Sequence, residues 1–101
     1  MTYVKVSSMD LIPPGSVISF QMNGKEVMVI NNAGQLFCLQ ARCTHAGAPL
    51  AEGTIEGDIL TCPWHGSKFR ITDGEVIKGP AVKKLQVYKS NITDNFLYIE
   101  L

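Results

Sequence analysis

The chain reads as all-β: an antiparallel barrel or sandwich base carrying a small inserted β subdomain. Three observations lead there. Short apolar stretches with period-two alternation are cut at close intervals by Gly, Pro and Asn turn signals. No stretch holds helical periodicity over ten residues. Between strand-like segments that stop near 41 and resume after 81, the sequence changes to two loops rich in Cys, His, Gly and Pro.

In chain order, Tyr3–Val6 reads as a short edge strand, followed by a turn through Ser7–Asp10 and a firm break at Pro13-Pro14-Gly15. Ser16–Met22 puts Ile18, Phe20 and Met22 on one face of a strand. Asn23-Gly24 is the strongest hairpin signal, because both central residues of a type I′ turn take positive φ. Glu26–Asn31 returns as a strand whose continuous apolar run suits burial on both faces. A turn at Asn31–Gly34 leads into Gln35–Gln40. The insert, about 41–81, then runs loop 41–50, strand Gly53–Ile55, turn Glu56-Gly57-Asp58 and strand Ile59–Thr61. It continues with loop 62–67, strand Lys68–Thr72, turn Asp73-Gly74 and strand Glu75–Ile77. Lys84–Lys89, with Leu85 and Val87 inward, re-enters the base, and Phe96–Leu101 closes it. Strands on either side of the insert are expected to pair, and the hairpin through 55–61 to hold the two loops at a fixed separation.

At 101 residues and 46% apolar, the chain is expected to form one domain, 1–101, with a real core. Nine basic and nine acidic side chains cancel, which argues against a nucleic-acid partner needing a broad basic face. Charge is uneven along the chain. Glu52, Glu56 and Asp58 make an acidic hairpin tip, whereas positions 68–89 carry an excess of four positive charges. Solvated surface accounts for both features, and a docking patch is the alternative. No apolar run reaches membrane-span length and no signal pattern opens the chain, so no membrane partner is expected. Three cysteines give no disulfide framework, and the cytoplasm is the expected compartment.

The chemistry concentrates between Arg42 and Phe69. Cys43-Thr44-His45 is a C-x-H, and Cys62-Pro63-Trp64-His65 a C-x-x-H, using both histidines and two of the three cysteines. Two thiolates and two imidazoles suit zinc or an iron–sulfur centre and suit Mg²⁺ or Ca²⁺ poorly. Zinc fingers usually pair Cys with Cys and His with His, whereas each loop here contributes one of each. A binuclear cluster uses that mixing, with cysteines on one iron and histidines on the other, as in a Rieske [2Fe–2S] centre. A mononuclear zinc site with the same four side chains remains the competitor on spacing alone.

Cys43-Thr44-His45-Ala46-Gly47 and Cys62-Pro63-Trp64-His65-Gly66-Ser67 closely resemble the two ligand loops of Rieske proteins. Phe69, Thr72-Asp73-Gly74 and Gly79-Pro80-Ala81, similar to that family's proline-bearing third loop, extend the match. The resemblance implies one [2Fe–2S] cluster per chain, held by Cys43, His45, Cys62 and His65. It implies a soluble, monomeric ferredoxin of an aromatic-ring dioxygenase system, taking electrons from a flavin-dependent ferredoxin reductase to a terminal oxygenase. The resemblance implies an electron-transfer component and not an enzyme in its own right. Two alternatives stand beside this: a small Rieske-like subunit of an NAD(P)H nitrite reductase, and a structural zinc-binding interaction module.

Charge explains the histidines. Two ferric ions, two sulfides and two thiolates sum to zero, so the electron enters a neutral site rather than a dianion. The resemblance also bears on potential. The respiratory branch has an extra disulfide whose cysteines fall at Ala48 and Trp64 here, and a tyrosine at the position of Phe69. Ser67 matches that branch's serine. Fewer donors to sulfur disfavour reduction, which places the expected potential in the lower part of the family range.

The remaining residues have structural readings. Trp64 either shields or docks, or else packs into the subdomain core. Ala46, Ala48, Pro49, Leu50, Pro63 and Pro80 stiffen the loops and exclude water. Gly47 and Gly66 let backbone approach the site or simply turn the chain. Cys38, mid-strand between Phe37 and Leu39, is expected to be a buried inert thiol.

Overall fold

The computed structural model describes residues 2–101 and is built almost entirely from antiparallel strands in three sheets. Four strands form the first: β2 (Val17–Met22), β3 (Lys25–Asn32), β4 (Gln35–Gln40) and β9 (Val87–Tyr88), in the order β2-β3-β4-β9. Another holds β1 (Tyr3–Ser8), β10 (Ser90–Thr93) and β11 (Phe96–Glu100), in the order β1-β11-β10. Between β4 and β9 the chain builds a small sheet of consecutive short strands: β5 (Thr54–Glu56), β6 (Ile59–Thr61), β7 (Lys68–Arg70) and β8 (Val76–Lys78). Two 3₁₀ turns, Met9–Leu11 and Leu50–Glu52, are the helical content among the described residues.

β3 organises the packing. Its apolar run is buried on both faces, as expected, and its alternating side chains serve two cores. Met28 and Ile30 join Leu39, Leu50, Leu60, Phe69, Ile71 and Leu85, the cluster that also contains Cys43 and Cys62. Val27 and Val29 join Ile12, Cys38, Leu97 and Ile99. Each such side chain contributes about 1.5–3 kcal/mol on full burial. At the end of β3, Asn31 is buried and fully bonded: its Nδ2 donates to Ile12 O at 2.7 Å and its Oδ1 accepts from Gly34 N–H at 2.9 Å.

The turns follow their residues. Asn23 and Gly24 both take positive φ (50° and 80°), the type I′ requirement, and set β2 against β3 from Met22↔Lys25 to Val17↔Ile30. The strands flanking the insert pair as expected, Cys38 opposite Tyr88 and Leu39 opposite Val87.

Three expectations need correction, and one strand has no counterpart in the sequence reading. β1 runs on to Ser8 through a register shift between Lys5 and Ser7, where a turn was expected. β7 stops at Arg70, because Gly74 N–H donates back to Arg70 O at 2.7 Å and closes a turn there. β9 spans Val87–Tyr88 rather than Lys84–Lys89, and Val87 faces outward while Leu85 is fully buried. Leu85 N–H donates to Gly74 O in the insert, whereas Gln86 O accepts from Gln40 N–H in the base. The chain crosses between layers at that point, so period-two alternation breaks. The strand without a counterpart is β10, whose Ser-Asn-Ile-Thr segment is exposed throughout and gives no alternating apolar signal. It is held as a hairpin with β11 by Asp94 and Asn95, both at positive φ.

Gly53 tests how closely the two halves of the insert approach. A Cβ there would lie 2.1 Å from Thr61 O, whereas one at Gly24 would meet nothing within 4 Å. Gly53→Ala is expected to cost about 2–3 kcal/mol through overpacking against backbone, and Gly24→Ala about 1 kcal/mol through its positive φ. Urea unfolding of the two variants checks this; equal losses would contradict the close approach.

Candidate metal centre

The two Cys/His loops differ in spacing but close in the same way. In the first, Cys43 N–H donates to Ala48 O at 2.9 Å, and Gly47 N–H donates to Cys43 O at 2.9 Å. In the second, Cys62 N–H donates to Ser67 O at 2.7 Å, and Gly66 N–H donates to Cys62 O at 3.3 Å. Each cysteine is thus clamped by backbone on both sides, and the glycine that turns the loop takes positive φ in each (74° at Gly47, 77° at Gly66). Leu50 N–H to Ala41 O at 3.0 Å and the Arg42–Pro49 bridge tie the base of the first loop. The β5–β6 and β6–β7 hairpins carry the second.

These clamps turn the sulfurs inward and the imidazoles outward. Cys43 and Cys62 are 4% and 3% exposed, within the core that holds Phe69 and Leu60. His45 and His65 are exposed, their rings edge-to-face with centroids 5.1 Å apart. Burial pushes the Cys43 thiol up, a hydrogen bond from the His45 amide pulls it down, and the adjacent Cys62 thiol pushes it up again. The two sulfurs are therefore neighbours, with loop amides directed at one of them.

A third segment closes over both loops. Ser67 is fully buried, and its Oγ accepts from Ala81 N–H at 3.0 Å. Thr44 Oγ1 donates to Lys83 O at 2.5 Å. Gly79-Pro80-Ala81, the segment similar to the proline-bearing third loop, is thus stapled to the second loop, and Lys83 to the first. The Thr44 staple left no sequence signal, since its acceptor is a backbone carbonyl 39 residues away. Trp64 stands 56% exposed beside His65, which excludes the packed alternative. Phe69 is fully buried and brings no hydroxyl. Ala48 and Leu50 are buried beneath the first loop, whereas Ala46, Pro63 and Pro80 are exposed.

Donor chemistry and placement fit a binuclear iron–sulfur group better than one ion. A single ion would need all four side chains to converge on one point. The four are instead arranged as two pairs, sulfur inside and nitrogen outside, one of each from either loop. Cys38 lies in the other core and is not brought to the site.

The family model described as Rieske [2Fe-2S] domain matches residues 2–89. The biphenyl dioxygenase ferredoxin subunit of Pseudomonas sp. (strain KKS102) is 34% identical over 93 residues, covering 91% of this chain and 85% of that protein. The ferredoxin of carbazole 1,9a-dioxygenase from Nocardioides aromaticivorans IC177 superposes with a TM-score of 0.89 at 26% identity, covering 98% of this chain and 97% of that one. A chain in a complex of reduced oxygenase and oxidized ferredoxin in carbazole 1,9a-dioxygenase superposes at 0.88 with 28% identity, covering 96% and 91%. No helix among the described residues is long and apolar enough to cross a membrane.

Cys38 separates structural from site cysteines. Burial raises its thiol to about 11, opposed by a hydrogen bond with Ser90. A raised folded-state value stabilises the fold fully below the ordinary thiol range, and this contribution is lost as pH rises from about 9 towards 11. The stability difference between the native chain and Cys38→Ala should therefore narrow across that window in urea titrations. A constant difference would contradict it.

Proposed function

The chain belongs to the Rieske [2Fe–2S] domain family, and on that premise we propose that it is a one-electron carrier holding one cluster per chain. Cys43 and Cys62 would hold one iron and His45 and His65 the other, within a cluster-binding subdomain of about 41–81 in a single domain 1–101. When bound, the cluster supplies reversible acceptance and release of a single electron. The observation that carries the reading is the split in burial: two adjacent sulfurs in the core and two imidazoles in solvent.

Each residue then has a task. The backbone clamps around Cys43 and Cys62 fix both sulfurs before any metal arrives, which limits rearrangement on a change of charge. Leu50, Leu60 and Phe69 keep water from the sulfur side. Because Ser67 Oγ already accepts from the Ala81 amide, its own proton is left to donate elsewhere within the buried site. His45 and His65 provide the electron's exit, and all four protein ligands together leave no position for a substrate. The working partners are a flavin-dependent ferredoxin reductase as donor and a terminal oxygenase as acceptor, with a monomeric carrier moving between them in the cytoplasm. Support comes from relatives described as ferredoxin components of dioxygenase systems and from a similar chain found in an oxygenase–ferredoxin complex.

An EPR spectrum of the dithionite-reduced protein, with iron and acid-labile sulfide assays, tests this. Mixed Cys/His ligation and two irons per chain are expected. A colourless protein with stoichiometric zinc would overturn the reading. With Phe69 offering no donor, the midpoint should fall below about +150 mV. His65→Cys should lower it further by adding negative charge, and an unchanged midpoint in an assembled variant would count against the charge argument.

A further inference from the structure

Charge in the small sheet is sorted by end. Strand register sets Thr61 opposite Lys68 and Lys68 opposite Lys78, all at the end that leads into the histidine loops. Glu56 and Arg70 both pair with Ile59 at the other end, next to Asp58, and there Arg70 is bonded to Asp73 at 2.6 Å. Two lysines directly opposite one another weaken a ladder, so nothing in the stability of the sheet calls for them. Lys83 adds a third cation, since the Thr44 bond holds its backbone against the first loop.

These three lysines are unneutralised. The ion pairs among the described residues are Arg42–Glu26, Arg70–Asp73 and Lys84–Glu75, and none involves Lys68, Lys78 or Lys83. Glu52 is the one acidic residue in positions 41–55. Among the cations the surface is apolar: Trp64 is 56% exposed and Val82 is 95% exposed, each in a loop beside a histidine loop or within it. The molecule carries no net charge, so any steering must come from this separation of charge and not from the whole.

We propose that the rim around His45 and His65 docks a partner protein whose face carries carboxylates around an apolar recess, Lys68, Lys78 and Lys83 meeting the carboxylates and Trp64 and Val82 the recess. This rests on the carrier reading and adds the chemistry of the partner's face. A nucleic acid or lipid surface fits less well, because nine basic and nine acidic side chains cancel and leave no excess for a broad basic face.

Voltammetry of the cluster-loaded protein at gold coated with carboxylate- or ammonium-terminated alkanethiols tests the proposal. Electron exchange should be fast at the carboxylate layer, severalfold slower at the ammonium layer, and should slow as salt rises from about 20 to about 300 mM. The double variant Lys78→Gln/Lys83→Gln, which leaves the Lys68–Thr61 bond and the Lys83 carbonyl in place, should lose that advantage severalfold. Lys25→Gln/Lys89→Gln changes net charge equally and should retain it. Faster exchange at the ammonium layer, or equal losses in both variants, would overturn the docking proposal while leaving a working carrier. A protein with no redox couple at either layer or with soluble mediators would defeat the carrier reading and the docking proposal with it. Binding to phosphatidylglycerol vesicles that requires Lys78 and Lys83 would reassign the rim to a membrane surface. A dimer in sedimentation that dissociates in the Lys78/Lys83 variant would reassign it to a second copy of this chain.

Discussion

The site depends on the backbone clamp made around each cysteine. A thiol buried at 3–4% exposure beside another thiol is an unfavourable place to generate negative charge, as the upward push on Cys43 shows. What makes the location workable is that loop amides are already directed there, from His45 and Ala46 toward the Cys43 sulfur. These donors are main-chain groups, held by the Cys43–Ala48 and Cys62–Ser67 closures rather than by side chains. Loop sequence can therefore vary between the cysteine and the histidine, Thr in one and Pro-Trp in the other, while the clamp persists. A glycine four residues beyond each cysteine completes it in both loops.

β3 carries this precision into the rest of the molecule. Its two faces put Met28 and Ile30 beneath the sulfur side of the loops and Val27 and Val29 against the sheet that closes on β1. One strand thus couples the loops to the whole base. Asn32 Nδ2 to Gly57 O, at 2.9 Å, adds a polar tie from the end of β3 to the far tip of the insert. The insert is thus tied to the rest of the chain by Thr44 to Lys83 near the histidines and by Asn32 to Gly57 away from them, while the Ser67–Ala81 bond closes it internally.

Much of this could be read from residues whose meaning is local. Asn23-Gly24 specifies its turn by φ alone, the apolar run of β3 specifies double-sided burial, and the two Cys/His motifs point to loops that the structure brings together. The failures share a cause. Val87 alternates correctly with Leu85 in sequence, but the chain changes sheets between them, which only the bonds to Gly74 and Gln40 reveal. Ser90–Thr93 is a strand because β11 lies beside it, not because of its own composition. Thr44, placed between Cys43 and His45, reads as filler until its carbonyl partner at Lys83 is known. Gly53 reads as an ordinary turn glycine, and its importance lies in a carbonyl from another strand.

The burial asymmetry also decides how such a carrier must work. The sulfur side is closed by Leu50, Leu60 and Phe69, so on the proposed carrier reading an electron would pass at the exposed His45 and His65. On that reading a donor and an acceptor would share the same rim in turn. Tight docking to either would block the other, so turnover favours a small contact that dissociates quickly. A rim of three lysines around two apolar side chains suits that demand. Exposed charges speed encounter while adding little to residence, and Trp64 and Val82 offer too little area to hold a partner long.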